Sequence, residues 1–246
     1  MVRSLSTTTP GALTVNGSTS GAIAFGDIST LTLTTPQVTF PGVSPTAYAD
    51  AYEWTIPAGW VFLTDGTAST GAGKIMYGFN ANSIQVRTTA DAGGQVRVRA
   101  VDYECGERRG NPRLASLPQT LPIVRTLPTL TIISNRSPQG GSFSLFCGER
   151  LEPQQVRASS GGVPSGGGFS NYTFTTSGIV RSFCCLNTAS PGVSLNGTGT
   201  GTVALSALYT RNGASTTVTA PSIVITARPE VATPVFLVSN YDLCLN

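Results

Sequence analysis

The residues able to do chemistry in this 246-residue chain are few and of restricted kinds. It has no histidine, so a Ser-His-Asp or Cys-His site is excluded and the commonest general base is missing. Its twelve acidic residues are scattered over turns and loops, among them Asp27, Asp50, Asp65, Asp91, Asp102 and Glu104. No spacing singles out the carboxylate pair a glycosidase needs, and no Asp/Asn run has the spacing of a calcium loop. Neither catalysis nor a cofactor is expected.

Cysteine is the other reactive type. Cys105, Cys147, Cys184, Cys185 and Cys244 contain no CxxC motif, and their spacing does not suit a four-ligand zinc site. In a chain of low charge rich in Thr and Gly they read as disulfide partners in an extracellular setting. The odd count leaves one over. Two schemes are open: Cys147 with Cys184 or Cys185, or a ladder of Cys105 to Cys147 and Cys184 or Cys185 to Cys244. Cys184 and Cys185 are adjacent, so strand alternation sends them to opposite faces.

Fifteen basic residues leave a net charge of +3, and Lys74 is the only lysine. Arg97 and Arg99 alternate with Val96, Val98 and Ala100, as the wet face of a half-buried strand does. A guanidinium can also grip a carboxylate or sulfate in bidentate fashion. Together with Trp60 and Tyr77 near the 64–82 loop, these arginines are the weak candidates for a glycan-binding surface. Trp60 also reads as a core residue. No basic cluster interleaves with aromatics in a nucleic-acid module, and no run of about eighteen apolar residues could cross a membrane as a helix.

Positioning these side chains falls to strands. Charged residues make up 11% of the chain and apolar ones 40%, with 28 Gly and 16 Pro between short β-branched runs. That composition belongs to an all-β protein with many turns. The segment 29–35 alternates Leu31 and Leu33 with Thr. Strands are expected around Trp54, over the short WVFL run, over NSIQVRTT and over GQVRVRAVDYE. The last two are separated by the 91–94 turn and read as a hairpin. LPQTLPIVRTL reads as an edge strand because of its prolines. Tyr103, two residues before Cys105, has the spacing of a tyrosine corner.

The plan is written twice. Arg3 and Arg125 each open a similar stretch, and twenty-two residues later come Phe25-Gly26 and Cys147-Gly148. AYEWTIP around Trp54 corresponds to NYTFTTS around Phe174, and GGQVRVRAVDYECG to GTGTVALSALYTRNG. Two β-sandwich domains are expected, over 1–126 and 127–230, with Trp54, Tyr103 and Phe174 as core residues. Residues 231–246 read either as a joint opening a third domain or as an assembly strand around Val235, Phe236, Leu237 and Val238.

The run YEWTIPAGWVF, a Gly/Thr loop and SIQVRTTADAGGQVRVRAVDYECG together resemble the immunoglobulin-like, PKD-like tandem repeats of secreted surface proteins of Bacteroidetes-type bacteria. The likeness is good over 48–106 and weaker over 172–226. In the second copy Phe174 replaces the Trp and Asn212-Gly213 stands where Cys105-Gly106 would. In the first, Phe25 stands where the family has an early Cys, so the within-domain Cys pair is broken in both. The resemblance implies a non-enzymatic spacer or adhesion module, extracellular or at the cell surface. Its partners would be neighbouring like domains or subunits, a surface glycan or a host protein. The chain reads as a segment of such a protein or, alternatively, as a complete subunit joined to others by strand addition.

Overall fold

The computed structural model describes residues 9–40, 47–78, 80–103, 114–146, 150–151 and 155–229. Every regular element among them is a β-strand. The chain divides into two compact units. One holds the chain up to Pro128 with Val163–Gly168 and Tyr209–Thr216; the other holds Thr129–Gly162, Phe169–Leu208 and the chain from Thr217.

The first unit begins with β1 (Thr14–Val15), β2 (Ala22–Ala24), β3 (Thr30–Thr34), β4 (Thr39–Phe40), β5 (Ala47–Tyr48) and β6 (Ala51–Thr55). It continues with β7 (Val61–Phe62), β8 (Thr67–Ala68), β9 (Lys74–Tyr77) and β10 (Ser83–Arg87). β11 (Gly94–Asp102), β12 (Leu114–Ala115) and β13 (Gln119–Thr126) complete it. One sheet has the order β1-β3-β10-β7-β8; the other runs β2-β13-β11-β6-β9, with β12 also on β11. Alternation explains how they close on each other. Leu31 and Leu33 of β3, Tyr52 and Trp54 of β6, and Val96, Val98 and Ala100 of β11 all enter one buried cluster. The result is an immunoglobulin-like sandwich.

Trp54 and Trp60 are both completely buried in this cluster. Each indole needs a partner for its N–H. Trp54 Nε1 donates to the Ala81 carbonyl at 2.8 Å, and Trp60 Nε1 donates to the Ala92 carbonyl at 3.3 Å. Trp60 is aimed inward by a tight turn in which its N–H meets the Pro57 carbonyl at 3.2 Å. Gly59 supplies the positive φ of +85° that the turn's third position requires.

Two expectations about this unit are corrected. β10 and β11 do not form a hairpin: β10 pairs with β3 and β7, β11 with β6, β12 and β13. Residues 88–93 therefore carry the chain from one sheet to the other. β13 is not an edge strand, since β11 and β2 flank it. Its proline is tolerated because β2 pairs only with Val124–Thr126, leaving Pro122 beside Gly21. Arg125 lies in the last strand of the first unit.

The second unit contains β14 (Thr129–Ser134), β15 (Phe143–Phe146), β16 (Arg150–Leu151), β17 (Val156–Gly161) and β18 (Gly167–Gly178). β19 (Val180–Cys184), β20 (Gly192–Leu195), β21 (Gly199–Arg211), β22 (Ala214–Thr219) and β23 (Ile223–Arg228) follow, the first two residues of β18 and the Tyr209–Thr216 tip of the β21–β22 hairpin being counted with the first unit. Its sheets are β14-β17, β16-β20-β19 and β15-β23-β21-β18, with β22 on β21. Phe174 on β18 is 1% exposed, as Trp54 is 0% exposed on β6. The repeat shows in the pairing too. β2 runs parallel to β13, and β15 runs parallel to β23. Asn212-Gly213 forms the two-residue turn between β21 and β22, with φ of +49° and +81°. A type I′ hairpin needs that left-handed pair, and Asn-Gly supplies it at least cost.

Candidate functional site

Tyr77, Arg97 and Arg99 project from the same face of one sheet. In the register, Tyr77 stands opposite Ala51 and Ala51 opposite Val101. One step along, Ile75 faces Glu53 and Glu53 faces Arg99; beyond that, Thr55 faces Arg97. Since Tyr52, Trp54, Val96 and Val98 fill the core, these alternate residues lie on the outer face. Glu53, Thr55, Arg97, Val98, Arg99 and Pro118 line an open groove of about 370 Å³ there.

The groove is not a bare cationic patch. The Arg99 guanidinium holds the Glu53 carboxylate through both Nε and Nη2 at 2.5 Å. Arg97 is exposed and has no ion pair among the described residues, so the net charge offered to a ligand is one guanidinium. The rim is apolar: Ile75, Tyr77 and Leu117 are 36%, 47% and 45% exposed. Arg97, Thr55 and this rim can hold an anionic, partly apolar group.

At the upper end of the face the side chains turn inward on one another. Tyr103, Ala51, Val101 and Ala115 form a small separate cluster. The rings of Tyr103 and Tyr77 lie 5.7 Å apart at 44°. Burial, reinforced by the neighbouring Tyr77, pushes the Tyr103 phenol above its ordinary range. Tyr103 is thus a core residue of this outer cluster. Its backbone N–H meets Asp50 Oδ1 at 3.2 Å. Trp60, by contrast, takes no part in the face: it is sealed in the main core, 6.0 Å beneath the Arg125 guanidinium. That removes it from the ligand candidates.

Glu53, Thr55, Ile75, Leu117 and Pro118 were not singled out by the sequence. Glu53 had a signal, since it sits between the inward Tyr52 and Trp54. The partner of its carboxylate depends on register, which is set by chain segments far away.

Lys74 is engaged elsewhere. Its ammonium donates to Asp65 and to Thr67 Oγ1, and lies 4.8 Å from the Phe62 ring centroid. Lys74, followed by Thr67, holds the Asp65 carboxyl down at about 2 from an ordinary 3.8. A depressed carboxylate binds fewer protons folded than unfolded, so its contribution is whole above about pH 4 and is lost as pH falls through the folded value. Titration of the Asp65 side-chain carbon by NMR is expected to give a midpoint near 2. A midpoint at the ordinary value would show that the contact does not persist in solution.

Of the cysteines, Cys184 and Cys185 are free thiols; Cys105, Cys147 and Cys244 lie outside the described residues, as does the Val235–Val238 segment. Among the described residues no three potential ligands gather to hold a metal ion, and no helix is long and apolar enough to cross a membrane.

A family model of the PKD-like domain matches residues 32–115, about a third of the chain. No curated protein matches. Among solved structures, the fibronectin(III)-like modules of Clostridium thermocellum CbhA are 14% identical, with 88% of this chain and 94% of that one covered at a TM-score of 0.26. The D0-D1 domain of intimin is 19% identical, covering 88% and 98% at 0.24. The C-terminal domain of the Streptococcus agalactiae AgI/II polypeptide BspA is 10% identical, covering 89% and 99% at 0.32. Superpositions this loose carry nothing about function.

Proposed function

We propose, from the match of residues 32–115 to the PKD-like domain, that the chain is a non-enzymatic structural or adhesive segment of an extracellular, cell-surface protein. The observation that carries this reading is where the reactive side chains are spent. Arg125 is committed to backbone carbonyls, Lys74 to Asp65 and Arg99 to Glu53. What faces solvent is Ser/Thr-rich strand surface, with the open groove beside Arg97 on one sheet face, a scaffold for presentation. Antibodies raised against the chain should label intact cells of its source, and external protease should remove the label. Labelling only after permeabilisation would overturn the proposal.

A second reading, a module for acidic glycans, is favoured by Tyr77, Arg97 and Arg99 sharing one face. Losing a charge-assisted hydrogen bond costs about 1.5–3 kcal/mol, so Arg97→Ala should weaken binding to a uronic-acid glycan on the order of tenfold or more. Equal binding by the variant and the parent chain would remove the groove from consideration. Assembly with like subunits through Val235–Val238 is the further partner proposal. Its check is the native particle size with and without that segment.

A further inference from the structure

Adjacent residues on a regular strand point to opposite faces, but Cys184 and Cys185 do not. Two local departures combine. The β19–β20 ladder shifts register between Ser182 and Cys184, and Cys185 adopts φ of +64°, a left-handed conformation that non-glycine residues seldom take. Such a conformation persists only where its surroundings impose it. Here the Cys185 carbonyl accepts from Thr188 N at 3.1 Å and from Thr188 Oγ1 at 2.8 Å. Gly192, the ladder partner of Cys184, leaves the needed room; a Cβ there would lie 3.0 Å from Cys184 Sγ and 2.7 Å from the Phe183 ring. As a result both sulfurs turn to one side. The two Sγ atoms lie 2.6 Å apart, closer than non-bonded sulfurs pack. Cys185 is exposed, Cys184 partly so, and neither is in a disulfide.

We propose that Cys184 and Cys185 are an oxidisable vicinal dithiol, a modification site that a low-molecular-weight disulfide closes into a bond between the two neighbours. The thiolate of one cysteine attacks one sulfur of the reagent, whose S–S bond breaks and releases one thiolate. Its neighbour then gives up its proton and attacks that cysteine's Sγ, expelling the second thiolate. The protein loses two hydrogens and the reagent disulfide becomes two thiols. Neighbouring Cα atoms sit about 3.8 Å apart, inside the usual lower limit of about 4.4 Å for disulfides. The closed form should therefore reopen under mild thiol reductants.

The test uses the purified full chain, reduced, then exposed to oxidised glutathione, alkylated and digested without reductant. The peptide holding both residues should be unalkylated, unlinked and two hydrogens lighter than its reduced form. Alkylation at both positions, retained glutathione, or a link to a peptide containing Cys105, Cys147 or Cys244 would each overturn the assignment. Phenylarsine oxide, which bridges only thiols that can meet, gives a second readout on the reduced chain. It should add once to this peptide and fail with Cys184→Ser and with Cys185→Ser, while circular dichroism stays unchanged. No addition to the parent peptide also counts against the proposal.

Discussion

Trp54→Ala is expected to lower the stability of the first unit by about 3–5 kcal/mol, a large part of the roughly 5–15 kcal/mol that holds a domain folded. The indole is completely buried where β6 crosses the middle of the core, among residues from both sheets. Truncation leaves a cavity and also strands the Ala81 carbonyl that accepted its N–H. Trp54→Phe should cost far less, because Phe174 fills the corresponding place in the second unit. The measurement is convenient. Both tryptophans of the chain are in the first unit, so Trp60 fluorescence in urea follows that unit alone even after Trp54 is removed. Its midpoint should fall steeply, while the part of the circular-dichroism transition belonging to the second unit stays in place. An unmoved fluorescence midpoint would mean that the core does not depend on Trp54.

The second large effect is expected at Arg125. Its guanidinium donates to four backbone carbonyls: Nε to Ala92 at 3.1 Å, Nη1 to Ala24 and Asp27 at 3.2 Å each, and Nη2 to Thr89 at 2.5 Å. Two of these acceptors lie on the segment that carries the chain between sheets, and two at or just beyond β2. One side chain on the closing strand therefore fastens both. Burial pushes the guanidinium below its ordinary range, against the opposing pull of Asp27 and Asp91. Arg125→Met keeps the aliphatic stem over Trp60 and deletes every donor. It should destabilise the first unit by about 2–4 kcal/mol, in line with losing hydrogen bonds to a charged group. Arg125→Lys should recover only part, since a point charge cannot reach carbonyls arrayed around a planar fork. A loss for Arg125→Met below about 0.5 kcal/mol, the scale of ordinary surface changes, would show that water replaces the clamp.

Arg125 also marks the limit of what was legible. Its likeness to Arg3 was visible as a repeat and the first domain was expected to end at 126, but its strand's pairing with Ala22–Ala24, about a hundred residues earlier, was not readable. Local alternation was readable. Leu31/Leu33, Tyr52/Trp54 and Val96/Val98 announced strands and their buried faces, and the class of fold followed. Partnership was not readable, because period two is the same whichever strand lies alongside. Hence β10 and β11, adjacent in sequence, read as a hairpin although they belong to opposite sheets. For the same reason Arg97, Arg99 and Tyr77 could be singled out but not placed on one face with Glu53. At Cys184 and Cys185 the rule of alternation itself failed, because a register shift and one left-handed residue override it.

The parallel pairing of each unit's early strand with its closing strand has a mechanical consequence. Ala22–Ala24 lies along Val124–Thr126, and Phe143–Phe146 along Ile225–Arg228, each pair running in the same direction. A pull that draws the early strand backwards and the closing strand forwards slides the two past each other. The ladder bonds lie across that direction, so they share the load and must fail together, unlike a hairpin that opens one bond at a time. Forced unfolding is governed by the rate of crossing that barrier, not by equilibrium stability. Tension is thus borne by backbone hydrogen bonds at the margin of each sandwich before any reaches its buried interior.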